Sequence, residues 1–289
     1  GNPLSLRTRA VVNAGGVWAD DVRALDEKVH PDTIRPAKGV HLTVPWEKVQ
    51  NDIAVVIPVP RDRRSLFVVP WIAKEDGTYL FTYIGTTDTD YKGPVNDPQC
   101  TKDDIEYVLE ALNASVTTNV TIDDVTGVWS GLRPLVKTDD TAAKAGRTAD
   151  LSRRHKVVTS ANGIVSVTGG KLTTYREMAE DAVDAACEVL NIRKKSRTRS
   201  LPLRGATGRR SPSTNLDHHF DGGYGSDASQ VRALIEHDPS LAEELVPGLP
   251  YVKAEAIYAV THEMATTLDD VLTRRTRSRL LDRKACVRV

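Results

Sequence analysis

Short apolar runs, many alternating with period two, crowd the first part of the chain. Residues 9–13, 41–44, 53–59, 66–71, 79–86, 125–130, 156–160 and 164–168 predict the strands of a sizeable sheet system. Between them the period lengthens. Thr101 stands three residues before Asp104, a capping-box start, and Ile105, Val108, Leu109, Leu112 and Val116 then share one helical face. A second helix is predicted after Gly169-Gly170, with Leu172, Tyr175, Ala179, Ala182, Val183, Ala186 and Leu190 at helical spacing. Past Asn191 the composition turns to Lys194, Lys195, Arg197 and Arg199, and then to a stretch over 205–225 rich in Gly, Ser, Arg and His, which reads as a linker or long loop. Beyond it residues 228–237, 241–245, 253–264 and 268–283 carry helical periodicity and no strand pattern. The expected partition is a body over 1–195, a linker over 196–225 and a small all-helical domain over 226–289.

Composition narrows the function classes. A chain of 289 residues with 40% hydrophobic content has enough apolar surface to build a core. Thirty-nine basic residues balance thirty-nine acidic ones, so no bulk charge draws the protein to nucleic acid, and no nucleic-acid partner is expected. Arg274, Arg275, Arg277 and Arg279 form a local basic cluster, but Asp269, Asp270 and Asp282 flank it, as on a solvated helix face. Cys100, Cys187 and Cys286 are widely spaced, which argues against a zinc site or disulfide scaffold and suits a reducing cytoplasm. His262-Glu263 continues as Met264-Ala265-Thr266, so H-E-x-x-H is absent and no metal is expected. No apolar run approaches membrane-spanning length, and residues 1–9 lack the apolar core of a signal peptide. The opening, without an initiating Met and leading directly into a strand, reads as a piece of a longer protein.

Four segments carry candidate chemistry. In Ile164-Val165-Ser166-Val167-Thr168-Gly169-Gly170-Lys171-Leu172-Thr173-Thr174-Tyr175-Arg176 an apolar strand ends in two glycines and opens a helix, where unpaired N–H groups at the positive end of the dipole can receive an anionic or electron-rich ligand. It is not a P-loop, because Val165 stands where the first glycine belongs. Spacing alone leaves a plain tight turn equally open. Val11-Val12-Asn13-Ala14-Gly15-Gly16-Val17-Trp18-Ala19-Asp20 repeats the logic of strand, glycine pair and helix, again with a plain turn as the alternative. His41 begins a strand after Lys38-Gly39-Val40 and is suited to proton transfer, unless it is a structural or surface histidine. Arg133, beside Pro134 at the end of a strand, suits bidentate capture of a phosphate or carboxylate, with an ordinary ion pair as the alternative.

Taken in order, Asn13-Ala14-Gly15-Gly16-Val17-Trp18, Lys38-Gly39-Val40-His41, Ile84-Gly85-Thr86-Thr87-Asp88, Gly131-Leu132-Arg133-Pro134-Leu135 and Gly169-Gly170-Lys171-Leu172-Thr173-Thr174-Tyr175-Arg176 are similar to the successive motifs of FAD-dependent, quinone-linked glycerol-3-phosphate dehydrogenases. The tail from His262 to Arg275 resembles the helical C-terminal domain of that family, so the resemblance covers nearly the whole chain. Family members open with a strand, a G-x-G-x-x-G turn and a helix that hold the FAD pyrophosphate; these residues contain no such segment.

The resemblance implies a mixed α/β (α+β) fold. Its parts would be a partial FAD/NAD(P)-binding domain of glycine-oxidase-like architecture, an antiparallel substrate-cap sheet inserted over residues ~30–135, and the helical C-terminal domain. It implies oxidation of sn-glycerol 3-phosphate to dihydroxyacetone phosphate, with hydride transfer to FAD and electrons passed to a membrane quinone. On this reading Arg133 anchors the substrate, Lys171 stabilises negative charge near the flavin, and His41 is the general base. Gly15, Gly16, Gly169, Gly170, Lys171, Leu172 and Thr173 border the cofactor, while Thr87 and Asp88 shape the site. Peripheral contact with the inner face of the cytoplasmic membrane and a homodimer belong to the same expectation. The alternatives are a non-catalytic truncated fragment that mediates association, or a related flavin oxidase acting on glycerol 3-phosphate, an amine or an amino acid.

Overall fold

Every segment with period-two or continuous apolar patterning forms a strand, and the Thr101 signal forms a helix. The computed structural model describes residues 4–62, 64–137, 154–206 and 215–288. In chain order the main elements are β1 (Val11–Asn13), α1 (Ala19–Glu27), β2 (Ile34–Pro45), β3 (Val55–Pro58), β4 (Ser65–Ala73), β5 (Tyr79–Gly85), β6 (Thr89–Asp90), α2 (Lys102–Asn113), β7 (Gly127–Val136), β8 (Lys156–Thr159), β9 (Ile164–Thr168), α3 (Tyr175–Val189), α4 (Asn215–Tyr224), α5 (Ala228–His237) and α6 (Lys253–His262). The expected mixed α/β class is therefore observed. The described residues fall into two compact units, one drawn from Gly1–Gly39, Asp88–Gln99 and Ser130–Leu201, the other from Val40–Thr87, Cys100–Trp129 and Pro202–Val289.

In the first unit β1 pairs in parallel with β9, in register Val11↔Ile164 through Asn13↔Ser166, and β8 pairs antiparallel on the other side of β9. Each of the two parallel strands runs into a glycine turn and a helix, α1 after β1 and α3 after β9. Asp20, in the first turn of α1, is buried and accepts from Thr33 N (2.5 Å), Thr33 Oγ1 (2.7 Å) and Ile34 N (2.9 Å), which fixes where β2 begins. The helix expected after Gly169-Gly170 starts later than its periodicity suggested. Leu172–Thr174 forms a 3-10 turn, and of the predicted apolar face only Ala182 and Ala186 are buried, Leu172, Tyr175 and Val183 being exposed.

In the second unit the antiparallel strands lie in the order β3, β4, β5, β2. Alternation sends Val40, Leu42 and Val44 of β2 into a core with Leu66, Val68 and Ile84, and α2 covers this face with Val108, Leu109, Ala111 and Leu112. The capping box that starts α2 is formed in both directions between Thr101 and Asp104. The C-terminal helices do not stand apart from the sheet: Phe81 shares a core with Val246, Leu249, Leu272 and Leu281, and Thr43 Oγ1 donates to Leu280 O at 2.7 Å.

Three expectations for the C-terminal part need correction. The segment read as loop over 205–225 contains α4, because Leu216, Phe220 and Tyr224 recur every four residues and pack with Val231 and Tyr258; that burial outweighs the low helix propensity of Gly222 and Gly223. The helix expected over 241–245 is instead a short 3-10 turn, Pro239–Ala242, whose start is capped by Asp238 accepting from Ser240 N. The single helix expected over 268–283 is broken into a π-helical turn Asp270–Arg275, a left-handed Arg277 (φ 59°) and the short helices Ser278–Leu281 and Arg283–Cys286. The buried Thr276 hydroxyl takes the Val271 carbonyl at 2.9 Å, a local bond that competes with continuation of the helix.

Two outcomes test this packing. Leu112→Ala, which empties a fully buried position, is expected to cost about 2–5 kcal/mol, whereas Leu25→Ala at an exposed site of α1 changes stability by less than about 0.5 kcal/mol, both read from denaturant midpoints. A hydrogen bond from Lys48, with the Thr121 amide assisting, holds the Asp124 carboxyl down to about 2. An unfolded Asp titrates near ~3.9, so this pair stabilises the fold above that pH and ceases to as pH falls through about 2. The gap in unfolding midpoint between the native protein and Asp124→Asn should be open at neutral pH and close on acidification; a gap independent of pH would refute the assignment.

Candidate functional site

The two glycine turns lie side by side because their strands are neighbours. Asn13, buried at the end of β1, donates to Ala19 O (2.9 Å) and to Ser166 Oγ (3.2 Å) and accepts from Gly15 N (3.1 Å). One side chain thus ties the first turn, the start of α1 and the neighbouring strand β9. Gly16, Gly169 and Gly170 all have positive φ, at 58°, 73° and 79°, which disfavours any side chain.

The glycines differ in what surrounds them. A Cβ on Gly169 would lie 2.7 Å from Arg154 O, so packing against the backbone requires that glycine, whereas one on Gly170 would meet the movable end of Met178, 2.4 Å from Sδ. A Cβ on Gly16 would meet nothing within 4 Å, so the backbone there faces open space. Lys171, Leu172 and Thr173 are also exposed, Leu172 to 87%. An open glycine backbone beside an exposed apolar side chain at the start of a helix fits a flat, partly anionic group such as a dinucleotide. Arg176, in the same motif, has a structural task, since it pairs with Glu180 and donates to Thr198 Oγ1 at 3.1 Å.

Arg133 lies in this first unit, near the end of β7. Its Nη1 is 3.7 Å from Asp88 Oδ1, an ion pair longer than a hydrogen bond, with the guanidinium partly exposed and the carboxylate nearly buried. Asp88 therefore orients the cation without covering it. Lys38 in the same unit is buried, and its Nζ donates to Gln99 O at 3.2 Å.

His41 belongs to the second unit. It pairs with Gly85 across β2 and β5, and its ring stacks on Trp129 with centroids 4.8 Å apart and planes 7° from parallel. Tyr83 and Trp71 complete an aromatic group on the sheet face opposite the apolar core. Thr87 Oγ1 accepts from Val40 N at 3.0 Å, holding the backbone that leads into His41. Gly15, Gly16, Gly169, Gly170, Lys171, Leu172, Thr173 and Arg133 are thus gathered in one unit and His41 in the other. The roles of Asn13, Gly85 and Trp129 were not anticipated from sequence. A lone Asn before two glycines was a usable signal for Asn13, but the other two depend on strand register and non-local packing.

Three of the four arginines of the C-terminal cluster are committed to ion pairs and carbonyls: Arg274 pairs with Asp269 and Asp270, Arg279 with Asp269, and Arg275 donates to Glu263 O. Among the described residues there is no group of His, Cys, Asp or Glu that could hold a metal ion, and no helix long and apolar enough to cross a membrane.

Similarity to known proteins extends over nearly the whole chain. Residues 3–176 match the family model described as FAD dependent oxidoreductase, and residues 196–289 match the C-terminal domain of alpha-glycerophosphate oxidase. The chain is 38% identical over 291 residues to glycerol-3-phosphate dehydrogenase 2 of Mycobacterium tuberculosis, covering 96% of this chain and 47% of that protein. It is 39% identical over 288 residues to glycerol-3-phosphate dehydrogenase 1 of the same organism, covering 97% and 53%. The chain thus spans about half the length of these curated relatives. The crystal structure of the glycerol-3-phosphate dehydrogenase from Bacillus halodurans complexed with FAD superposes with a TM-score of 0.71 at 28% identity, over 96% of this chain and 55% of that one.

Substitution at the turns should separate packing from exposure. Gly169→Ala, which meets a backbone carbonyl and a left-handed φ together, is expected to destabilise by more than about 2 kcal/mol. Gly16→Ala carries only the conformational cost of roughly 1 kcal/mol, and thermal or urea unfolding of the two variants reads the difference.

Proposed function

From a chain that belongs to the FAD-dependent oxidoreductase family, we propose the reaction of a glycerol-3-phosphate dehydrogenase: sn-glycerol 3-phosphate is oxidised to dihydroxyacetone phosphate and the electrons pass to a membrane quinone. The observation that carries this reading is the pair of adjacent strand-to-helix glycine turns within a sequence similar over nearly its whole length to proteins of that name. Gly15, Gly16, Gly169, Gly170, Lys171, Leu172 and Thr173 would hold FAD, which when bound supplies the acceptor for a hydride equivalent. The secondary alcohol of the substrate loses that hydride from carbon and a proton from oxygen, leaving the ketone.

The chain's own residues supply the rest. Arg133, steadied by Asp88, offers a planar cation to the substrate phosphate. Lys171, exposed at the second turn, balances negative charge that develops during the reaction. His41 takes the hydroxyl proton. Peripheral attachment to the inner face of the cytoplasmic membrane and a homodimeric assembly complete the proposal. An oxidase that uses oxygen is the second reading, favoured by the match of residues 196–289 to a domain described from alpha-glycerophosphate oxidase.

The first test is retention of flavin absorbance after the purified protein is incubated with FAD and dialysed, followed by glycerol-3-phosphate-dependent reduction of a quinone analogue. Oxygen consumption with peroxide release would select the oxidase instead; flavin retained only by a longer form that carries the G-x-G-x-x-G segment would make these residues a non-catalytic piece, and flavin retained by neither would sink both readings. Arg133→Ala is expected to raise KM roughly 10–100-fold with a smaller effect on kcat, and His41→Gln to lower kcat by about 10²–10⁴. The reverse pattern would exchange or remove the two roles.

A further inference from the structure

The His41 ring is held by features that general-base chemistry does not itself require. Strand register sets His41 directly opposite Gly85, and a Cβ built on Gly85 would lie 2.3 Å from His41 Cδ2, 2.7 Å from His41 Cγ and 2.8 Å from Val40 O. The imidazole therefore occupies the volume that any side chain at position 85 would need. Gly85 has no positive φ, so backbone conformation does not account for the glycine; the His41 ring and the neighbouring carbonyl do. On its flat side the ring lies against Trp129, nearly parallel at 4.8 Å, and Trp129 is itself braced edge-on by Trp71 at 6.0 Å. Tyr83 approaches the imidazole edge-on, with centroids 6.1 Å apart. A five-membered ring with two side-chain torsions is thus restricted to one plane by a vacancy at position 85 and a stack at position 129.

We propose that Gly85 and Trp129 are positioning residues for His41, fixing the plane and direction of its ring so that a nitrogen is presented to the substrate hydroxyl. The assignment rests on the reading of His41 as the base. Neither residue touches reacting atoms; each acts through the imidazole. Misplacement of a catalytic group by about 1 Å can cost on the order of 10²-fold in rate, and a ring released from its stack moves by at least that much.

The test is a double-mutant cycle on the FAD-loaded protein, with sn-glycerol 3-phosphate as substrate and a quinone analogue as acceptor. Trp129→Leu is expected to lower kcat roughly 10–100-fold with KM little changed, Trp129→Phe to recover most of that loss, and Trp129→Leu to add nothing once His41→Gln is present. Gly85→Ala should reproduce the kcat loss. If Trp129→Leu lowers kcat by the same factor with and without His41, or not at all, the positioning role is overturned while the base assignment stands. If His41→Gln alone leaves kcat intact, the base assignment falls and this inference with it. A measurement independent of activity guards against a variant that does not fold: in the native protein the His41 ring-proton resonances, identified by their loss in His41→Gln, should be shifted upfield by the indole and less so in Trp129→Phe. Resonances at ordinary positions in the native protein would overturn the stack.

Discussion

The register of β2 against β5 is the constraint on which the second unit depends. Pairing His41 with Gly85, Leu42 with Ile84 and Thr43 with Tyr83 sends Val40, Leu42 and Val44 to the face covered by α2 and leaves His41 and Thr43 on the other. Burying each of the three aliphatic side chains is worth about 1.5–3 kcal/mol. A slip of one residue would remove all three from that core and drive a histidine and a threonine into it. The same pairing brings the imidazole over the only kind of residue that leaves it room. Core packing and the orientation of the ring are two faces of one strand.

The first unit depends on a parallel pair of strands. Parallel neighbours start their following turns at the same level, so the turns after β1 and β9 open together and their helices begin close by. Asn13 reinforces this arrangement by using both ends of its amide inside the protein, which satisfies a buried polar group and joins β1, α1 and β9. The glycines that follow are not interchangeable. Gly169 is fixed by a backbone carbonyl within the unit, Gly170 meets the movable end of Met178, and Gly16 faces open space.

The C-terminal helices are organised around a buried carboxylate. Glu255 is almost inaccessible, yet it accepts from His219 Nε2 at 2.9 Å, Tyr224 OH at 2.9 Å and Val252 N at 2.7 Å. Burial, with the Glu255 charge adding to it, pushes the Tyr224 hydroxyl well above its usual range, so it remains a donor. Desolvating a carboxylate is costly, and three donors converging on it are the compensation that lets it sit among Phe220, Ala254 and Tyr258. Position 255 also closes the capping bond to the Val252 amide, so the charge fixes where α6 begins.

Much of this was legible in the sequence wherever the information is local. Period-two alternation located the strands, Thr101 with Asp104 located α2, and glycine pairs after apolar runs located both turns, because each of these depends on residues only a few positions apart. What escaped was decided by partners distant in the chain. The helix in the glycine-rich 205–225 segment forms because Phe220 finds Val231 and Tyr258, and the helix expected over 268–283 breaks where Thr276 and Ser278 are buried. The stack of His41 on Trp129 joins positions far apart in sequence, and no periodicity reports it. The sequence by itself determined the elements and the residue types able to do chemistry. Tertiary structure alone decided which glycines are filled by the protein's own atoms, which arginines are committed to ion pairs and which ring faces the histidine, since burial, register and distance are properties of the folded chain.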